Sequence, residues 1–308
     1  MAAVDFDRLT EALAAGEALS ASQLHALAHS RDLIGLGMLA ADARTRRHGT
    51  RGTFVRVQVV DVSHVPADTG GFGLDLPQLA TAEGGTFSMG ELRLVGAPAS
   101  LATARLMVLA AASRGGVPVS AWTVEELSAL GPLADVAATL REAGLHAVAS
   151  ARLDRLVAAD LDALASAGLP VQSVTLGTPV DGDALLDQLE ALRAWQAATG
   201  VVRACAPLPV ETSLEQPTTG YDDMRHVAVA RLVLDNVPHI QAHWVRMGAK
   251  LSQSCLLFGA DDIDAVPARD DMPHGPRRAI LEEVRRNLAA ASLDAVERDG
   301  AFRPRGAA

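Results

Sequence analysis

Cysteine is nearly absent from this chain: its 308 residues hold two, Cys205 and Cys255. Two thiols so far apart in apolar strand-like surroundings build no disulfide framework and match no CxxC spacing, so both are expected as small buried hydrophobes. No HExxH segment and no Ser-His-Asp arrangement occurs, which removes the zincin and serine-hydrolase readings. Basic clusters interleaved with aromatics are missing as well. With a net charge of −10 and a pI near 5.3, the attraction that a nucleic-acid binder needs is absent, and nucleic acid is not an expected partner. No run of about 18 apolar residues occurs, and the first residues carry Asp5 and Asp7 in place of an apolar leader core. No membrane association is expected, and the expected location is the cytoplasm.

What is present suits one large domain: 49% of residues are hydrophobic and 21% charged. Residues 4–48 carry Phe6, Leu9, Leu13 and then Leu24, Leu27, Leu33, Leu36 and Leu39 near helical spacing, with Ser20 and Ser22 as cap candidates. His25 and His29 lie one helical turn apart, but no carboxylate or thiolate is close to them in sequence, so they predict no metal site. Arg44, Arg46, Arg47, His48 and Arg51 form a basic knot before the first strand. The β-branched, alternating segment 53–60 predicts that strand, followed by strands at 91–95, 117–122, 145–149, 171–176, 201–206, 239–244 and 254–258. Helical stripes at 101–113, 124–142, 155–167 and 182–199 separate them, and no convincing helix links the first two strands. Eight strands alternating with helices predict a (β/α)8 TIM-type barrel, irregular at the first βα unit. The expected division is an N-terminal helical extension over 1–50, the barrel over 51–265, and a C-terminal helix and tail over 266–308.

The most informative stretch is 218–265. Asp222 or Thr219 caps a helix that Asn236 and Pro238 stop. In the strand that follows, His239, Gln241 and His243 share one face, while Ile240 and Trp244 share the other. The segments TGYDDMRHVAVARLVLDNVPHIQAHW, GAKLSQ and FGADD resemble the C-terminal third of the radical SAM enzymes that include aminofutalosine synthase, cyclic dehypoxanthine futalosine synthase and the deazaflavin-forming subunits. A thinner match continues through VPVSAWTVEEL, LREAGLHAV and RTRRHGTRGTFVR.

That resemblance makes the gaps informative. In the family the loop after the first strand carries Cys-x3-Cys-x2-Cys, three thiolates for a 4Fe–4S cluster whose remaining iron chelates S-adenosylmethionine. Here the loop reads DVSHVPADTGGFGLDLPQ, without a cysteine, and Asp61, His64 and Asp68 are no substitute. Gly70, Gly71 and Gly73 precede no helix in P-loop register and make no phosphate cradle. Where relatives have a Gly-rich G-G-G-A-E at the fourth strand, this chain has Ala149, Ser150, Ala151, Arg152, Leu153 and Asp154. The Pro-Leu-x-x-His-Pro-Glu-Asn-Thr pattern at the sixth strand is reduced to PLPVET, ending in Glu211 and Thr212. The expectation is therefore a radical-SAM-like pseudoenzyme with no cluster and no other cofactor or metal.

In a barrel of this type chemistry sits where strand C-termini converge. The candidates there are Trp122, Thr123 and Glu125 on the third strand, Arg152 and Asp154 on the fourth, Thr175 on the fifth, and Glu211 and Thr212 on the sixth. His243, Asp261 and Asp262 follow on the last two, and Arg56 is a candidate carboxylate binder if it points inward. Glu125, Glu211, Asp261 and Asp262 are candidates for acid–base pairs or, with His243, a divalent site, and equally for caps of βα-loops.

Three functions fit. The first is a silent paralogue that associates with an active radical SAM relative, or with itself. The second is a non-radical lyase or hydrolase acting on a carboxylated aromatic or nucleoside intermediate of menaquinone biosynthesis. The third is a small-molecule binding protein without turnover. Convergence of Arg56, Glu125, Glu211 and His243 would favour the second, an exposed apolar patch the first. The amphipathic segment HGPRRAILEEVRRNL either folds back on its own barrel or offers a surface to another.

Overall fold

The computed structural model describes residues 4–63, 88–211, 218–269 and 279–305. Three helices come first: α1 (Phe6–Ala14), α2 (Ala21–Ala28) and α3 (Leu33–His48). Each starts where a side chain can accept from a free backbone N–H, at Asp5, Ser20 and Asp32. Then come β1 (Arg51–Asp61), β2 (Glu91–Val95), α4 (Leu101–Gly115), β3 (Val119–Thr123), α5 (Val124–Ser128), α6 (Leu133–Glu142), β4 (Ala147–Arg152), α7 (Ala158–Ser166) and β5 (Val171–Leu176). The remainder is α8 (Gly182–Thr199), β6 (Ala204–Pro209), α9 (Gly220–Val233), β7 (His239–His243), α10 (Trp244–Leu257), β8 (Asp262–Pro267), α11 (Ile280–Ala290) and β9 (Asp294–Arg298). All strand neighbours are parallel from β2 through β8, and β1 closes the ring by pairing with both ends. This is the expected (β/α)8 barrel.

Closure at β1 has a feature that the sequence did not suggest. One edge of this long strand pairs with β8. The other is shared, with Val57–Asp61 in register with Glu91–Val95 of β2 and Arg51–Val55 in register with Asp294–Arg298 of β9. The tail thus inserts a ninth strand into the seam below β2, and the Gly300 N–H donates to the Gly90 carbonyl at 2.9 Å. β8 runs through the expected boundary at residue 265, and the C-terminal segment is structurally part of the sheet.

Three element assignments differ from expectation. The segment 254–258 is not a strand but the last turn of α10, whose Cys255 and Leu256 are fully buried against the sheet side. A short apolar run reads equally as either, and the eighth strand is the next segment, where Asp262 and Asp264 alternate with Ile263. The helix expected over 124–142 is divided into α5 and α6 at Gly131 and Pro132, with Gly131 at φ 148°. β4 and β6 each end three residues later than expected, at Arg152 and Pro209. α11 follows the expected amphipathic segment, and its Val284 and Leu288 fold back against α10 and β9.

Strand alternation sorts the core into two layers. Phe54, Leu94, Val148, Val174, Ile240 and Ile263 point outward and join the continuous apolar packing beneath the helices. The barrel interior is different. Small residues Ala147, Ala149, Ala204 and Ala206 line one wall and leave room for long polar chains from the other. Arg298 of β9 reaches in and holds Asp262 bidentately, at 2.6 Å for both contacts, with 1% and 0% of the two side chains exposed. Gln241 donates to the same carboxylate at 2.8 Å, and Thr53 at 2.5 Å. The Arg298 guanidinium also lies 3.7 Å from the centre of the Phe302 ring.

Breaking such a pair strands a buried charge, which costs about 3–5 kcal/mol. Arg298→Ala is expected to lower unfolding free energy by about that amount. Arg305→Ala, which removes a more exposed partner of Glu297, is expected to cost less than about 1 kcal/mol. Urea titration followed by circular dichroism measures both.

Candidate functional site

The strand C-termini enclose a cavity of about 280 Å³, walled by Arg93, Trp122, Thr123, Ser150, Ser173, Thr175, Val210, His243, Arg246 and Asp264. It lies at the small end of ligand-pocket sizes. At its base Arg93 makes two parallel bonds to Asp264, at 2.9 and 3.0 Å, and a third from Nε to Glu91 at 2.8 Å. Glu91 also accepts from Ser120 at 2.5 Å and Gln172 at 3.2 Å. Burial opposes ionisation of both Arg93 and Asp264, yet their mutual attraction holds the guanidinium charged and the carboxyl well below the usual carboxylate range.

Two non-glycine residues at this face have left-handed backbone conformations, Trp122 at φ 53° and Ala265 at φ 57°. Such conformations cost energy and persist only where neighbours enforce them. For Trp122 the anchor is an indole N–H bond to the Gly96 carbonyl at 2.8 Å. Ala265 sits in a bulge, since three steps along β8 from Ile263 to Val266 match two along β1 from Phe54 to Arg56. His243 borders the cavity with its Nδ1 buried and unpartnered among the described residues. Desolvation lowers its pKa against the pull of Asp264, so the imidazole stays neutral.

A second polar group closes the rim. Arg152 binds Asp154 through two contacts, at 2.8 and 3.2 Å, and pairs with Glu211 at the end of β6. Its hydrogen bond with Arg152, which outweighs partial burial, lowers the pKa of Asp154. Glu125 accepts from the Arg152 backbone N–H at 3.2 Å, while its other oxygen is buried without a partner among the described residues. Asp154 in turn requires a glycine opposite, because a Cβ at Gly177 would lie 1.9 Å from its carboxylate.

Of the residues expected at the mouth, Trp122, Thr123, Thr175 and His243 line the cavity, and Glu125, Arg152, Asp154 and Glu211 form the rim cluster. Thr123 also caps α5 in a capping box with Glu126. Arg56 is elsewhere: it alternates outward on β1 and holds Glu297 of β9 at 3.1 Å on the outer face. Asp262 starts β8 rather than ending a strand, and lies deep in the barrel with Arg298. Asp261 is at the floor, where Arg231 and His239 hold it and His48 lies at 3.6 Å. Asp261 and Asp262 were misplaced because the eighth strand begins at residue 262, eight residues later than the apolar run at 254–258 implied, and Arg56 because the parity of β1 turns it outward. Thr212 lies outside the described residues, as do His64, Asp68 and the glycines of the loop after β1. Sequence reading missed Glu91, Arg93, Arg246 and Asp264. The alternation Glu91-x-Arg93 in a strand otherwise leucine and valine was the available signal.

Residues 210–274 match the family model of the CofH/MqnC C-terminal region. Aminodeoxyfutalosine synthase of Thermus thermophilus is 30% identical over 225 residues, 61% of this chain and 60% of that protein. Cyclic dehypoxanthine futalosine synthase of Streptomyces coelicolor is 33% identical over 113 residues, 34% of this chain and 28% of the relative. The chain is a relative of these radical SAM proteins. It spans less than two thirds of the length of either. In fold it is similar to methylornithine synthase, with a TM-score of 0.65 over 93% of this chain and 97% of the other, at 13% identity.

The radical SAM relationship implies a cluster and S-adenosylmethionine, and the residues present do not fit them. Three thiolates are needed, and the whole chain has two. Cys205 is 1% exposed and faces outward from β6 into the helix layer, and burial pushes its thiol up to about 12 despite Arg231 nearby. Cys255 is fully buried on α10, and burial raises its pKa further. Among the described residues no helix is long and apolar enough to cross a membrane.

Burial also keeps His48 neutral, with its pKa lowered to about 4, and depresses His146 and His226. The unfolded imidazoles take up protons below about 6.5, whereas the folded ones resist, so the unfolded state binds more protons and stability falls as pH drops. The urea midpoint is expected to decline from about pH 6.5 towards about pH 4, and His48→Gln to flatten that decline. Midpoints measured every half pH unit in both proteins check this.

Proposed function

We propose that this chain is a radical-SAM-related barrel that works without the cluster, binding a small ligand at its mouth and not turning it over by radical chemistry. The observation that carries the reading is the fate of its thiols. Both lie in the apolar layer beneath the helices, facing away from the only face where cluster ligands would serve this fold. At the end of β4 the Arg152–Asp154–Glu211 network fills the place where the related enzymes carry glycine. The acid–base convergence that would favour an independent hydrolase or lyase is not supported either. Arg56 is on the outer face, and two of the three rim carboxylates, Asp154 and Glu211, are tied up in ion pairs with Arg152.

What the mouth retains is an indole, a neutral imidazole, several hydroxyls and the Arg246 guanidinium around about 280 Å³ of space. This complements a flat ligand with one acidic or polar edge, in keeping with the nucleoside-type and aromatic chemistry implied by the names of the futalosine-pathway relatives. A second reading, association with an active relative or with another copy of the chain, is favoured by three exposed side chains. Val59, Val210 and Val245 are 48%, 46% and 66% exposed, and each borders a cavity at the mouth. α11 does not supply that surface, since its stripe is folded inward.

Anaerobic iron–sulfide reconstitution is expected to leave the protein colourless, and dithionite with S-adenosylmethionine to yield no 5′-deoxyadenosine. About four irons per chain would sink the proposal. Purine nucleosides and benzoate-class carboxylates, titrated by tryptophan fluorescence, are expected to bind the unmodified protein and lose affinity in Ser150→Phe. Recovery of a stoichiometric complex after co-expression with a cluster-containing relative would shift the weight to the second reading.

A further inference from the structure

The two histidines that found no partner in the sequence find one in the fold. α2 packs against α8, and this brings Asp183, 154 residues from His29, between the two rings. His29 Nε2 lies 2.8 Å from Asp183 Oδ1, and His25 Nε2 lies 3.2 Å from the same oxygen. The ring centres are 4.6 Å apart, and one donor atom from each of the three residues falls within 4.8 Å of the others.

We infer that His25, His29 and Asp183 form a binding site for a first-row divalent transition ion of the zinc class. Two imidazoles and one carboxylate are the borderline N/O donors that such an ion takes, at about 2.0–2.2 Å each. Ligand atoms at that radius around one ion stand roughly 3 Å apart, so the distances to Asp183 already approximate the edges of a coordination polyhedron. The i, i+4 spacing from His25 on α2 to its C-cap His29 places both rings on one side of the helix end. A local feature of α8 keeps the space open. Gly182 is its first residue, and a Cβ there would come within 2.8 Å of the His29 ring and 3.1 Å of Nε2, displacing the imidazole from Asp183.

The site is solvent-facing, with side-chain exposures of 58% for His25, 31% for His29 and 66% for Asp183, so water can complete the coordination. His29 also borders a cavity of about 510 Å³ lined by Asp181, Asp222, Arg225 and His226, in which the buried Nδ1 of His226 has no partner among the described residues. The second histidine–carboxylate group, His48, His239 and Asp261 at the floor, is unsuited to an ion because Arg231 already occupies Asp261 and Arg44 lies nearby. A bound ion at the first site would pin the N-terminal helices to the barrel.

The test uses the full chain freed of metal by chelator. Zn²⁺ titrated calorimetrically is expected to bind at one equivalent and to raise the melting temperature, and Co²⁺ to give a visible d–d absorption. Removing one ligand should cost more than the about 10- to 100-fold lost when an outer partner is removed, so His29→Ala and Asp183→Asn are expected to abolish the one-equivalent step. Gly182→Ala, which keeps all three ligands, is expected to weaken it. His48→Gln, at the other cluster, is expected to leave it unchanged. Circular dichroism confirms that each variant is folded. No binding at millimolar Zn²⁺, or binding unaltered in His29→Ala and Asp183→Asn, would overturn the inference.

Discussion

The interior of this barrel is held by ion pairs in place of an apolar filling. Three carboxylates, Glu91, Asp262 and Asp264, share the space with two guanidiniums, Arg93 and Arg298, all nine-tenths or more buried. Charges so placed persist only if the geometry is bidentate and the remaining lone pairs are satisfied. Here both arginines bind an aspartate fork to fork, and the surplus carboxylate valence is taken up by Thr53, Ser120, Gln172 and Gln241. The alanines of β4 and β6 are the steric counterpart, because longer residues there would occupy the volume of the arginines.

This network ties the chain's end to its site. Arg298 lies on the tail strand, Asp262 on β8, and two residues further along β8 Asp264 holds Arg93 under the cavity. The bulge at Ala265 then redirects β8 next to His243. The mouth therefore rests on a column of paired charges that runs from the floor, and the column is complete only when β9 is seated in the seam beside β1. A C-terminal segment that reads as a helix and tail is in this way part of the support for the opposite face.

The same physics explains which candidates converged. Residues at or just beyond the C-terminal ends of strands that were legible as strands reached the mouth: Trp122, Glu125, Arg152, Glu211 and His243. Those tied to a misread strand did not. Asp261 and Asp262 were taken for the end of an apolar strand, but β8 is a strand whose inward face is acidic, and hydrophobic periodicity cannot register a face that is polar and buried. Arg56 depended on the parity of β1, and its outward orientation is fixed by pairing with Glu297 on a strand that no sequence pattern announced.

By itself the sequence determined the alternation of strands and helices, the narrowing of two helix caps to Ser20 or Ser22 and to Thr219 or Asp222, and the shared face of His239, Gln241 and His243, because all of these are local and periodic. It also determined that three cluster thiolates are unavailable, since that is a matter of count. Only the tertiary structure decided that both cysteines face the helices, that Arg93 and Arg298 lie inside the barrel, and that Asp183 stands between His25 and His29. Those outcomes depend on pairs separated by up to hundreds of residues, whose meeting is set by strand register and helix packing and leaves no spacing to read along the chain.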